Sequence, residues 1–203
     1  MELQTNFHKL MGLIGGIIAF LGFMPYIATM VKGTSKPSRA SWAVWSVMGL
    51  VILGTYYASG ARNNLPVTIA LAVGPIVTFL FTLKYGEGGD NTFDKTCLIG
   101  ALGSLALWKG LNSPVLGLCG ALITDFIGVL PTWRNFLKKG DQEEWHAWVI
   151  WSVGNICNMF TIEKLTVQDA LYPTYYLVGT GVSTFLVLRG HYRKKINNAR
   201  KEA

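Results

Sequence analysis

The sequence predicts an all-α, polytopic membrane protein with seven transmembrane helices, and three observations support that fold class. The 203 residues are 51% hydrophobic and only 14% charged, whereas soluble domains carry about 25% charged residues. Seven apolar segments approach the roughly 20 residues that a helix needs to cross a bilayer. An internal repeat divides these segments into two equivalent groups. The predicted spans are 10–31, 40–60, 65–85, 96–111, 114–133, 145–162 and 170–189.

The end of the first span and the start of the second are repeated 106 residues later. Without gaps, residues 20–47 share eight identities with residues 126–153. Spans five to seven therefore correspond to spans one to three, and span four has no counterpart. A single linking span returns the chain to its starting side, so the two three-helix bundles should be parallel. The predicted parts are a first bundle, 1–85, a polar loop and linking helix, 86–112, a second bundle, 113–190, and a basic cytoplasmic tail, 191–203.

The basic residues predict how the chain is oriented. With seven spans, fourteen of the eighteen Lys and Arg residues fall on one side of the membrane. Basic residues favour the cytoplasmic side, which places the N-terminus outside and the C-terminus in the cytoplasm. The same distribution makes the lipid bilayer, and not a nucleic acid, the expected partner of the net charge of +7. Short loops and the absence of an Asn-x-Ser/Thr acceptor favour a bacterial inner membrane.

Each repeat has a proline late in its first helix, Pro25 and Pro131. Proline removes one helical hydrogen bond and allows a kink, so the two prolines are candidate hinges. In both repeats the proline is followed by a basic loop and a second helix rich in tryptophan. This arrangement, carried by Phe-Met-Pro25-Tyr and Val-Leu-Pro131-Thr, resembles the PQ-loop superfamily. That superfamily includes the SWEET and SemiSWEET sugar facilitators, lysosomal amino-acid exporters and the KDEL receptors.

The resemblance implies a seven-helix fold and transport of a small solute by alternating access. The sequence departs from it where Tyr26 and Thr132 stand in place of the glutamine of the Pro-Gln pair. Tryptophans replace the prolines that sugar facilitators carry in the second helix of each bundle, so the resemblance does not imply sugar as the solute. The paired tryptophans of each repeat, together with Asn155, are also similar to Pnu-type vitamin transporters.

Asp125 is the strongest single candidate for a functional residue. It lies within the fifth span, where a charge costs about 2.5–3.5 kcal/mol and usually marks a functional site. We expect it to be a proton site in a coupled transporter, as the resemblance to PQ-loop exporters also allows. A structural acid bonded to Thr124 or to a neighbouring helix is the alternative.

Four further side chains are candidates for binding the solute. Asn155 and Asn158 lie about one helical turn apart, and Trp151 precedes Asn155 by four residues. A ring beside two amides can hold a ligand by stacking and by hydrogen bonds; interhelical hydrogen bonding would explain the amides equally well. Trp45 is the repeat counterpart of Trp151 and is expected to lie equally deep, whereas Trp42 is expected near the membrane interface.

No catalytic arrangement, metal-ligand spacing or cofactor motif is discernible, so the sequence predicts neither an enzyme nor a cofactor or metal site. It favours a small-solute transporter working by alternating access, with proton coupling through Asp125. A non-transporting membrane receptor, or an accessory subunit of a membrane complex, is the alternative. A homo-oligomer and a larger membrane complex both stay open.

Overall fold

A computed structural model describes residues 2–58, 65–109, 114–163 and 166–202. Within these ranges the chain is all-helical and forms no β-strand, which confirms the all-α class. A short 3-10 helix, Gly140–Gln142, joins two of the seven α-helices. These are α1, Glu2–Val31; α2, Arg39–Ala58; α3, Leu65–Tyr85; α4, Thr92–Lys109; α5, Pro114–Lys139; α6, Trp145–Met159; and α7, Val167–Glu202.

Several helices are longer than the apolar segments that predicted them. Helix α1 begins at Glu2, α5 continues to Lys139, and α7 continues to Glu202. Hydropathy marks only the apolar part of a helix, whereas Lys, Arg and Ala also favour helix and extend α7 into the predicted tail. The tail is therefore the end of α7. The predicted span ends at 60 and 111, and the boundary between 112 and 113, lie outside the described residues.

Helix packing follows the sequence repeat. Helix α3 contacts both α1 and α2, and α7 likewise contacts both α5 and α6. Across the middle of the molecule α1 packs on α6, and α2 packs on α5. These contacts are unchanged when α1, α2 and α3 are exchanged with α5, α6 and α7, as expected for two copies of one unit. Helix α4 packs on α5 and α2.

The helices expose large apolar side chains and bury many polar ones. Ile99 is 70% exposed, Phe185 65% and Leu80 59%. The buried polar residues are mostly hydroxyl-bearing, and several donate to a carbonyl of their own helix, as Thr78 does to Gly74 at 2.9 Å. Among the described residues, two stretches are long and apolar enough to cross a membrane, Asn6–Val31 and Thr68–Tyr85. Arg39–Gly54 is a shorter apolar stretch.

The loops that contain most of the charged residues lie close together at one end of the helices. Lys139 Nζ bonds Glu87 at 3.1 Å, joining the end of α5 to the loop after α3. The backbone N–H of Arg39 donates to the Glu87 carbonyl at 3.0 Å, so the loop before α2 reaches the same place. Gly33, with φ +73°, ends α1 just before that loop; at a helix C-terminus this left-handed conformation favours glycine.

Candidate functional site

Six aromatic residues from both repeats form a continuous layer at the centre of the molecule. The ring centroids of Trp148 and Trp151 are 5.1 Å apart, and those of Trp42 and Trp45 are 5.0 Å apart. Trp45 and Trp148, at 6.3 Å, connect the two repeats. We call this set the aromatic layer: Phe23, Tyr26, Trp42, Trp45, Trp148 and Trp151.

Trp42 belongs to this layer and is packed inside the molecule, whereas its expected position near the membrane interface stays a prediction. Its side chain is only 3% exposed, and its indole N–H donates to the Tyr26 hydroxyl at 3.3 Å. Trp42 also recurs in the second repeat as Trp148, which is 4% exposed. The presence of tryptophan at this position in both repeats was the signal that the two side chains are structural. This signal carries more weight than their nearness to a span end.

A cavity of about 520 Å³ lies between the two repeats, against the aromatic layer. Five of the six aromatic residues line it; Tyr26 does not. The opposite part is formed mainly by α5 and α7, which contribute Asp125, Tyr175, Tyr176 and Thr180. The cavity thus brings together four of the predicted site residues, Trp45, Trp151, Asn155 and Asp125. Its volume suits a small ligand, since such sites usually measure about 300–1,000 Å³.

Two tyrosines of α7 hold the Asp125 carboxyl. The Tyr175 hydroxyl donates to one oxygen at 2.7 Å, and the Tyr176 hydroxyl donates to the other at 3.2 Å. Asp125 is 6% exposed, and it is acceptor-only when charged. These bonds from α7 agree with the alternative of an acid bonded to a neighbouring helix, and Thr124, the other partner named in that alternative, donates to the Gly120 carbonyl at 2.9 Å. The sequence gave no sign of this pairing, because it depends on the packing of α7 on α5.

Asn155 lies at the edge of the cavity, whereas Asn158 does not line it. The Asn155 Nδ2 donates to the Trp151 carbonyl at 3.0 Å and lies 3.5 Å from Thr180 Oγ1. Asn158 is fully buried, and its Nδ2 has no hydrogen-bond partner within the described part of the chain. Three residues along a helix leave the side chain about 60° from the direction of the first, and because Asn155 already lies at the edge of the cavity, this offset places Asn158 beyond it.

The two repeats differ where the polar residues line the cavity. Asp125 corresponds to Ala19 and Asn155 to Gly49. The Ala19 carbonyl accepts the Trp151 indole N–H at 3.0 Å. A Cβ on Gly49 would clash with the Leu71 carbonyl oxygen, so α2 needs glycine there to pack on α3. The first repeat therefore uses these two positions for close packing, while the second places a carboxyl and an amide at the cavity.

Glu143 is a buried acid that sequence reasoning missed. It follows the 3-10 helix and is 7% exposed, close to Tyr26 and Trp148 on the side of the aromatic layer that faces the charged end. Burial raises the pKa of its carboxyl from 4.5 to about 7, although the neighbouring Tyr26 hydroxyl favours the charged form. Glu143 lies in a charged loop, and such loops usually face water. The sequence therefore gave no sign that this side chain is buried.

The prolines predicted as hinges lie inside helices that continue through them. Pro25 is in α1 and Pro131 in α5, where Pro131 is fully buried. Pro25 has no N–H to donate within α1. Close to this missing hydrogen bond, Thr29 Oγ1 donates to the Pro25 carbonyl at 2.9 Å. Pro75 in α3, which the sequence analysis did not select, lines the cavity.

Among the residues whose placement is described, no group of three or more His, Cys, Asp or Glu side chains could hold a metal ion. The site therefore consists of an aromatic wall, a carboxyl held by two hydroxyls, and an amide. Such a site can bind a flat or apolar group and can take up or release a proton. The chain matches no protein-family model, no curated protein and no solved structure.

Proposed function

We propose that this chain is a multi-pass membrane transporter for a small solute, of the PQ-loop and SWEET type, that works by alternating access. The observation that carries the proposal is the cavity of about 520 Å³ between two equivalent three-helix units. Repeats in a transporter commonly enclose the substrate site between them, so that rocking of one repeat on the other exposes the site to each side in turn.

The surface of the molecule supports a place in the bilayer. Large apolar side chains such as Ile99, Phe185 and Leu80 are more than half exposed, and apolar side chains exposed on several helices are expected where a protein contacts lipid or another protein. The gathering of basic loops at one end supports a cytoplasmic position for that end. The proposed topology has seven spans, with the N-terminus outside and the C-terminus in the cytoplasm of a bacterial cell.

Asp125 is the proposed proton site. Its carboxyl borders the cavity and both its oxygens accept hydrogen bonds from tyrosine hydroxyls. A charged carboxylate is stabilised by these donors, whereas the protonated form can itself donate to a ligand in the cavity. A proton bound at Asp125 and a solute bound beside it would exchange at adjoining positions. This exchange would couple the movement of the proton across the membrane to that of the solute.

The test is flux into proteoliposomes, with and without a pH gradient. Labelled sugars, amino acids and vitamin ribosides serve as probes, and the wild-type protein should carry at least one of them. We expect Asp125→Asn to remove the effect of the gradient while the protein stays folded. Asp90→Asn is the matched control, because Asp90 is 93% exposed and lies in the loop before α4. Unchanged gradient dependence in Asp125→Asn would refute the role of Asp125.

The alternative of a receptor or accessory subunit predicts a different result. Solutes of the panel would bind and raise the unfolding temperature, yet none would cross the vesicle membrane. The same cavity serves both functions, since a fold that carries solutes can also bind without carrying. Flux therefore decides between the two.

A further inference from the structure

Helix α7 continues far beyond its apolar part. After Leu188 the sequence becomes polar, and the helix extends for thirteen more residues from Gly190 to Glu202. At 1.5 Å per residue this extension is about 20 Å long. It is strongly basic, and together with Arg189 it contributes six cations: Arg189, Arg193, Lys194, Lys195, Arg200 and Lys201.

The extension is fixed to the corner between α5 and α6. Gly190 lies so close to Gly140 that an added Cβ would be 2.7 Å from the Gly140 backbone. His191 Nε2 donates to the Glu143 carbonyl at 2.9 Å, and Lys194 Nζ bonds Asp141 at 3.0 Å. These three contacts fall within little more than one helical turn, so the extension has a defined position beside α5.

A cleft of about 340 Å³ lies between this extension and the end of α5. Of the charged side chains that line it, one is an acid, Asp141, and it is already paired with Lys194. Asn197 and Asn198 add amides, and Phe136, Leu137 and Leu186 form an apolar edge. Five cations line the cleft: Lys138, Arg189, Arg193, Lys194 and Lys201.

Most of these cations form no ion pair with the residues that the structure describes. In the ranges that the structure describes, Lys194 alone among the five forms an ion pair with a carboxylate. Four like charges around one cleft repel each other, and an anion between them would remove that repulsion. Arginine in particular matches the geometry of a phosphate with two parallel hydrogen bonds. The cleft therefore has the charge and the donors for a phosphate group.

We propose that the cleft binds the phosphate-bearing headgroup of an anionic phospholipid. The apolar edge selects a lipid over a soluble phosphate. Leu137 is 62% exposed, beside the basic wall, so an acyl chain can follow the apolar edge while its phosphate meets the cations. This rests on the proposed membrane placement, which puts the cleft at the cytoplasmic surface, where anionic lipids attract basic residues.

The experiment uses the purified full-length protein and native mass spectrometry to count retained lipids. We expect phosphatidylglycerol to be retained in preference to phosphatidylcholine. Arg193→Gln combined with Lys201→Gln should lower the affinity for phosphatidylglycerol about tenfold or more. The matched control combines Lys195→Gln with Arg200→Gln, which removes the same charge from the same helix outside the cleft, and should change the affinity less than about twofold.

Three results would overturn the proposal. Equal retention of the two lipids would mean that the cleft does not select a charged headgroup. Equal losses in the two double variants would mean that the whole basic helix attracts lipid without a defined site. Stabilisation by inorganic pyrophosphate in detergent, without retention of phosphatidylglycerol, would identify a soluble phosphate as the ligand. Solute flux is measured separately, so failure of transport and failure of this site are distinguishable.

Discussion

At the scale of single residues, the buried carboxyl of Glu143 makes stability depend on pH. A carboxyl whose pKa rises from 4.5 to about 7 on folding holds its proton more tightly in the folded state. The folded protein is therefore favoured most below pH 4.5, and this contribution is lost as the pH rises to about 7. The full effect amounts to at most about 3 kcal/mol.

We expect Glu143→Gln to flatten the fall in stability between pH 4.5 and 7 and to raise stability at pH 8. The measurement is the midpoint of thermal unfolding in detergent across this range. His191, His146 and Glu144 also lie near the loop, so the difference between variant and wild type is the quantity to compare. Glu144→Gln is the control, because Glu144 is the neighbouring acid and a glutamine oxygen can still cap α6. An identical pH profile in wild type and Glu143→Gln would contradict the prediction.

Gly22 makes room for Trp151 in the aromatic layer. A Cβ at this position would lie 2.5 Å from the Trp151 Nε1, and the indole is held by its neighbours and by the Ala19 carbonyl. We expect Gly22→Ala to lower the free energy of unfolding by about 1–3 kcal/mol, because a packed interior cannot accept an extra methyl without strain.

The control for this substitution is Gly54→Ala. Gly54 is also in a helix, but a Cβ there meets nothing within 4 Å among the residues that the structure describes. Alanine is favoured over glycine in a helix by about 0.5–1 kcal/mol, so Gly54→Ala should stabilise the protein or leave it unchanged. Chemical unfolding followed by tryptophan fluorescence measures both variants. A fall of similar size in each would show that the crowding at Trp151 is not the cause.

At the scale of elements, the sequence predicted where helices lie better than where they end or what they touch. Apolar segments located the seven α-helices of the described residues, because helices that pack against one another must bury apolar residues. The polar extension of α7 was invisible to this signal, although its helix formers and its contacts with Gly140 and Asp141 maintain it. The pairing of Asp125 with Tyr175 was equally inaccessible, since it depends on the packing of α5 on α7 and not on local sequence.

Replacement of the internal prolines of α1 and α5 tests whether these helices bend in the proposed transport cycle. A proline inside a helix is about 3 kcal/mol less favourable than alanine, because it lacks the N–H that bonds the preceding turn. Pro25→Ala and Pro131→Ala should therefore stiffen the helices. We expect each to lower the maximal rate of solute flux while the unfolding temperature stays the same or rises.

Pro173→Ala is the matched control for the two hinge variants. Pro173 is also inside a helix, α7, and is fully buried, but it lies in the third helix of its repeat. Its replacement should leave the maximal rate close to that of the wild type. If all three variants slow flux equally, or if none does, the hinge assignment of Pro25 and Pro131 is wrong.

At the scale of the whole molecule, the two repeats share a structural scaffold but contribute different side chains to the cavity. The shared tryptophans build the aromatic layer, whereas the polar groups at the cavity, Asp125 and Asn155, come from the second repeat alone. Alignment of the repeats identifies the two mismatched positions, whereas the structure is needed to show that both side chains line the cavity. Alignment was not sufficient to separate Asn155 from Asn158, which requires the rotation of α6 about its own axis.

Alternating access predicts that one cavity residue can be reached from both sides of the membrane. In a protein whose Cys97, Cys119 and Cys157 are replaced by serine, Val129→Cys places a thiol in the cavity. A maleimide that cannot cross the bilayer should label this thiol when added to either face of oriented vesicles. Val187→Cys is the control, since Val187 is fully buried in the core and does not line the cavity, and it should react from neither face. Labelling of Val129→Cys from one face alone would indicate a fixed binding site and favour the receptor over the transporter.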